Sequence, residues 1–266
     1  MKPLRGYVDL SHGQVHYASC GPAASPHVLL LHQVPRSWAT YRDVLPLLGA
    51  RYHAVAMDTP GFGASDPPAG EDSIEVWADI AVEMLDHLGI SQFHVLGHHA
   101  GGVIAVDLAA RFGSRVQSLI VSSTPFVDAA FRKARSERPP FDPVEARPDG
   151  THLMDLWAQR MPFYPPDRPD LLAAFLRDAL QVKGDIEAGH KVVAAYRMED
   201  SIGAVDQPTL VIRAGADPFA AGHADEWLRL LPQAELADIP EGRVPLAEQL
   251  PDVFAKAVLD FLDAHS

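Results

Sequence analysis

The chain has 266 residues, 47% of them hydrophobic and 21% charged, enough apolar material for one large α/β domain and too much for a disordered segment. Its formal net charge is -13, a sign that argues against nucleic acid and anionic membrane as partners, since neither is drawn to an acidic surface without a basic patch. Global charge does not decide a small-molecule partner, because a pocket sets its own local field.

Lys2 and Arg5 open the chain without an apolar stretch of signal-peptide type behind them. Residues 7–10 and 14–18 alternate as an opening hairpin around Ser11-His12-Gly13. Cys20, the single cysteine, sits in a Ser-Cys-Gly-Pro turn; it excludes an internal disulfide and points to a reducing, cytoplasmic setting. Residues 28–32 form a fully buried strand, too short to span a bilayer, ending in the polar loop 33–37. The next strand, 54–57, runs into Asp58-Thr59-Pro60-Gly61-Phe62-Gly63. Ser73 caps a helix whose apolar positions Ile74, Trp77, Ile80, Ala81, Met84, Leu85 and Leu88 share one face, with Gly89 as its stop. A strand at 93–96 passes almost without a loop into a small-residue helix, 100–112, and a buried strand follows at 116–121.

The strand rhythm then breaks. Residues 125–206 hold no convincing strand; helices are predicted at 151–160, 170–180 and 185–198, beside a Pro- and Arg-rich stretch, 132–148. Strands return at 209–213 and 234–239, with helices near 221–231 and at 251–264. Strands alternating with helices imply a mostly parallel sheet, and an interruption of about eighty residues is too long for a plain loop. The expected layout is a core of 1–124 and 207–266 with a helical cap at 125–206.

Strand 93–96, then Gly97-His98-His99-Ala100-Gly101-Gly102, then a helix, is the sequence of a nucleophile elbow in its proper context. A residue on so sharp a turn needs tiny neighbours two positions before and after. With His32-Gln33-Val34-Pro35-Arg36 and the Asp58–Gly63 motif each ending an earlier strand, the chain resembles the α/β-hydrolase superfamily, particularly its capped esterases, epoxide hydrolases, haloalkane dehalogenases and carbon–carbon hydrolases. The resemblance implies a mostly parallel eight-stranded sheet flanked by helices, with the cap inserted after the sixth strand. It also places the family's nucleophile on His99, its acid on Asp217 and its catalytic histidine on Arg243. The family's oxyanion donors fall on the amides of Val34 and Ala100, and its oxyanion-loop His-Gly on His32-Gln33.

Two of these replacements remove the usual mechanism. A guanidinium stays protonated, so Arg243 is no base, although it is suited to an ion pair with Asp217. His99 has no hydroxyl, but an imidazole transfers protons near neutral pH, and the helix N-terminus behind it favours the neutral ring. The leading expectation is an enzyme using His99 as general acid/base on a small molecule, by non-covalent hydrolysis, lyase, decarboxylase or cyclase chemistry. The alternative is a catalytically silent ligand-binding protein, His99 merely filling the pocket. An Asp217–His99 contact competes with the Asp217–Arg243 pair, itself open to a purely structural reading. His98 is read as a buried histidine satisfied by backbone, though it is kept with the pocket candidates; His32 either lines the pocket or braces its loop. Gln33 and Arg36 complete the pocket candidates, Arg36 and Arg213 as sites to greet an anion or as solvated surface charges. Phe126, Phe131, Trp157, Phe163, Tyr164 and Tyr196 divide between pocket lining and core. No cofactor or metal is expected, since adjacent His98 and His99 lack a ligand spacing with His32; a homodimer is left open.

Overall fold

A computed structural model describes residues 1–142 and 144–265. Strands β1 (Leu4–Leu10), β2 (Gly13–Cys20), β3 (His27–Leu31), β4 (His53–Met57), β5 (Phe93–His98), β6 (Val116–Ser122), β7 (Thr209–Ala214) and β8 (Ala234–Ile239) build one sheet, ordered β1-β2-β4-β3-β5-β6-β7-β8. The β1–β2 and β2–β4 pairings are antiparallel and the remainder parallel. The physical reason is visible in the strands themselves. β3, β5 and β6 are buried almost throughout because helices cover both faces, whereas β1, at the edge, is largely exposed.

Helices α1 (Leu45–Leu48), α2 (Ile74–His87) and α3 (Ala100–Arg111) alternate with the first six strands. Ser73 caps α2 by accepting a bond from the Val76 amide at 3.1 Å, and the helix buries Ile74, Trp77, Ile80, Ala81, Met84 and Leu85, the face its spacing predicts. α2 and α3 pack on one face of the sheet, while α1 packs on the other.

Between β6 and β7 the chain adds α4 (Ala129–Ser136), α5 (Thr151–Arg160), α6 (Pro169–Ala179) and α7 (Ala188–Ala195), joined by short 3-10 turns, with no strand among the described residues. α4 departs from the sequence expectation, which left that stretch without a helix. Its signal is an N-cap: the Asp128 carboxylate accepts from the Phe131 amide at 2.7 Å. α7 is shorter than the expected 185–198 for two reasons. Asp185 spends its carboxylate on the Glu187 amide at 2.9 Å, ahead of the helix, and Tyr196 turns extended to send its hydroxyl to Asp107 and Ser201. After β7 come α8 (Ala224–Leu230), packed beside α2 and α3, then α9 (Leu246–Gln249) and α10 (Pro251–Ala264), packed with α1.

Arg36 ties these parts together. Fully buried, it grips both Glu248 oxygens at 2.7 and 2.8 Å and Asp178 at 2.8 Å, joining the loop after β3 to α9 and α6. It is therefore a structural clamp and not a group that greets a substrate, which corrects the expectation for it. Arg213 is likewise engaged, bidentate to Asp238 at 2.9 and 2.8 Å. No helix among the described residues is long and apolar enough to cross a membrane.

Candidate active site

The site begins at the end of β5. A Cβ on Gly97 would lie 2.1 Å from the Gly101 carbonyl oxygen, and one on Gly101 would lie 2.0 Å from that of Leu31. Both contacts are with backbone, so only glycine lets β5 turn directly into α3. Between them His99 takes φ 49°, ψ -115°, a conformation disfavoured for any residue with a Cβ and tolerated when the surrounding structure enforces it. The turn pushes the ring up from the sheet.

The His99 Nε2 lies 2.7 Å from Asp217 Oδ2, a close contact not aligned as a good hydrogen bond, and Asp217 is fully buried. Asp217 follows β7, and its other oxygen accepts the Phe219 amide at 3.0 Å. Burial pushes this carboxyl upward, but the His99 ring and the Phe219 amide more than offset it, holding Asp217 below the usual carboxylate range. A carboxylate only accepts, so the tautomer that suits this contact carries a proton on Nε2 and leaves Nδ1 as a lone pair. Nδ1 is paired with no described residue, and His99 lines the cavity above.

Asp217 therefore meets His99 and not Arg243. Its two oxygens are already engaged, and the half-buried Arg243 keeps its charge nearer water, with Nη1 donating to the Pro162 carbonyl at 3.3 Å. The expected Arg243–Asp217 bridge is absent, and Arg243 does not line the cavity.

His98 points the other way. Its Nε2 donates to the Val244 carbonyl at 2.9 Å and its Nδ1 accepts from the Ser122 hydroxyl at 3.0 Å. Burial, then the neighbouring His99, lowers its pKa to about 3, so it is a neutral structural ring. His32 is equally committed: Nδ1 donates to the Gln33 carbonyl at 2.9 Å and Nε2 accepts the Thr59 amide at 3.0 Å. Neither ring lines the cavity, so of the pocket candidates Gln33, Val34 and Ala100 stay and His32, Arg36 and His98 leave. With their nitrogens turned apart, His32, His98 and His99 share no ligand point. Ala100 opens α3, where first-turn amides lack intrahelical acceptors, and neither it nor the Val34 amide donates to a described residue.

The cavity encloses about 570 Å³ between the strand ends and α4, α5 and α7. Phe126, Phe131, Phe141 and Phe219 give it an apolar wall; Trp157, Phe163, Tyr164 and Tyr196 pack elsewhere. Sequence reasoning missed Phe141, Phe219 and the polar lining residues Asp128, Arg135, Arg138, Arg160, His190, His223 and Glu226. For Asp128 and Arg135 the α4 cap was the available signal; for the others, brought in by packing, there was none. Ser123, beside the elbow, also has a positive φ, 45°, and a buried hydroxyl without a partner.

Comparison with known proteins accords with this geometry. The model of the alpha/beta hydrolase fold family matches residues 26–249. The chain belongs to the alpha/beta hydrolases. Haloalkane dehalogenase 2 of Mycobacterium tuberculosis is 28% identical over 272 aligned positions, covering 96% of this chain and 93% of that one. Epoxide hydrolase 4 of Mus musculus is 37% identical over 112 residues, 41% of this hydrolase-family chain and 31% of the mouse protein. Among solved structures, the enol-lactonase from Burkholderia xenovorans LB400 superposes with a TM-score of 0.78 at 22% identity, covering 97% of this chain and 100% of that one, a likeness of fold.

Proposed function

We propose that this alpha/beta hydrolase acts on a small apolar molecule held between the sheet and the helical insertion, with His99 as general acid/base and no serine nucleophile. The insertion, residues 125–206, serves as the cap. The observation that carries the reading is the contact of His99 Nε2 with a buried carboxylate, Asp217, in a ring that lines the cavity; it supports a proton on Nε2 and Nδ1 as the proton acceptor.

The chemistry follows from these atoms. A water in the cavity gives its proton to His99 Nδ1 as its oxygen attacks an electrophilic carbon of the substrate. Negative charge developing on a carbonyl oxygen is met by the amides of Val34 and Ala100, which do not depend on side-chain identity. Asp217 keeps the imidazole oriented and stabilises it once it has gained the proton. This reaction calls for no cofactor or metal. The single cysteine, Cys20, buried and unpaired, supports a reducing, cytoplasmic setting for it.

The test is turnover of esters, lactones, epoxides and haloalkanes by the full chain and by His99→Ala. Loss of a general base costs roughly 100- to 10,000-fold. A drop of at least about 100-fold with an unchanged melting temperature is expected, and undiminished turnover by His99→Ala sinks the assignment. A compound that raises the melting temperature yet is recovered unaltered, with no turnover in any class, identifies a silent binding protein instead.

A further inference from the structure

We propose that His190 is a second proton-transfer group of the same cavity, facing His99 from the cap and donating a proton to the leaving group of an ester-like substrate. The inference rests on the proposed role of His99. It is carried by a matched arrangement of atoms. The His190 Nε2 lies 3.4 Å from Asp142 Oδ2, as His99 Nε2 lies 2.7 Å from Asp217 Oδ2. In each pair the histidine side chain is 16% exposed and the carboxylate 0%, and both histidines line the cavity. Asp142 again lies on the Nε2 side, here without a formed hydrogen bond, and Nδ1 of His190 is paired with no described residue.

The fold brings this ring to the site. His190, Val193 and Ala194 lie on one face of α7 and all line the cavity. The preceding residue, Gly189, allows the approach: a Cβ there would lie 2.8 Å from Val34 Cγ1 and 2.7 Å from Phe62 Cζ. Glycine thus lets α7 descend onto the loop that carries the Val34 amide. The Phe141 ring packs against His190 at 4.6 Å between centroids, with the Arg135 guanidinium 4.1 Å from the Phe141 centroid.

Asp142, Glu187 and His190 offer ligand atoms within 4.8 Å of one another, a spacing a cation would accept. The Arg160 guanidinium already occupies both Asp142 oxygens, and Glu187 accepts the Asp142 amide. Arg160 is buried with them, so the cluster carries its own positive charge. What remains outward is the His190 ring. Burial is opposed by His190 and Arg160, which hold Asp142 below the usual carboxylate range.

The step balances on these groups. Water oxygen bonds to the acyl carbon, its proton goes to His99 Nδ1, and the carbon–oxygen bond to the leaving alkoxide breaks. The proton on Nδ1 of protonated His190 moves to that alkoxide, giving an acid and an alcohol. Exchange with solvent returns His99 to the neutral ring and His190 to the protonated one. Two titratable groups lining one cavity, one accepting and one donating, are the usual division of labour in acid–base hydrolysis.

The leaving group tests this directly. An alkoxide needs a proton as it departs, whereas p-nitrophenolate does not. The full chain, His190→Gln, His190→Ala and His99→Ala are assayed on ethyl butyrate and p-nitrophenyl butyrate, with melting curves as a folding control. Both His190 variants are expected to lose about 100-fold on the ethyl ester and little on the p-nitrophenyl ester, while His99→Ala falls on both. Equal losses of the His190 variants on the two esters, or no loss on either, overturn the proposal while leaving His99 as base. Turnover of neither ester by the full chain overturns it as well, and undiminished turnover by His99→Ala overturns the role of His99 on which it rests.

Discussion

At the scale of single residues, the proposed chemistry turns on the imidazole that stands on the bend between β5 and α3. A hydroxyl on this bend would require a nearby base; a guanidinium is none, and the Arg243 side chain turns to the Pro162 carbonyl. His98 and His32 offer no replacement, because both nitrogens of each ring are bonded within the core. His99→Ser is therefore expected to lose ester turnover as His99→Ala does, and to resist covalent labelling by a fluorophosphonate, read by intact mass. Labelling of that single variant would show that another base reaches the elbow. In the proposed mechanism His99 acts because Asp217 lies against one ring nitrogen and the other is paired with no described residue.

At the scale of elements, a buried charge network ties the helical insertion to the sheet. Arg36 joins the loop after β3 to α6 and α9 through Asp178 and Glu248, all three groups buried. Removing one member of such a network leaves uncompensated charge out of water, which costs about 3–5 kcal/mol. Arg36→Ala is expected to lower unfolding free energy by about that amount in urea melts. The same variant should increase proteolysis within the helical insertion before the sheet, since α6 loses its link to the loop after β3. Equal resistance of insertion and sheet in limited proteolysis would show that packing alone holds α6. α7 illustrates the converse, an element placed by the absence of a side chain: Gly189 permits contact with Val34 that any Cβ would block.

At the scale of the whole molecule, buried histidines make stability depend on pH. Burial lowers the pKa of His98 to about 3, burial and the charge of His265 lower that of His94 to about 4, and burial also lowers His32. Each folded-state value lies below the ordinary 6.5, so the unfolded chain binds these protons first. Stability is then fully present above about pH 6.5 and is lost as pH falls toward 3. At about 1.4 kcal/mol per unit, His98 alone accounts for roughly 5 kcal/mol across that window. Melting temperature is expected to fall steadily from pH 7 to pH 4, and a flat profile over that range would show these rings protonated without cost.

The fold was legible because its signals are local. Ser73 and the apolar face of α2, the buried runs of β3, β5 and β6, and the glycines around His99 each act through neighbouring residues or near-universal steric limits. They identify the sheet, the elbow and the placement of His99 and Asp217 without coordinates. Which partner Asp217 takes, where the rings of His32 and His98 turn, and that Arg36 is buried depend on contacts between residues far apart in the chain. Competing bonds of similar strength decide those orientations, and only packing ranks them. The Arg36 clamp spans 212 residues to Glu248, and the cavity's polar lining from the insertion comes from helices whose own sequence says nothing of what they face. Local chemistry thus determined the scaffold and the residue on its bend, while the tertiary structure decided that ring's partners and the cavity above it, because those are set by the simultaneous satisfaction of buried charges and hydrogen bonds.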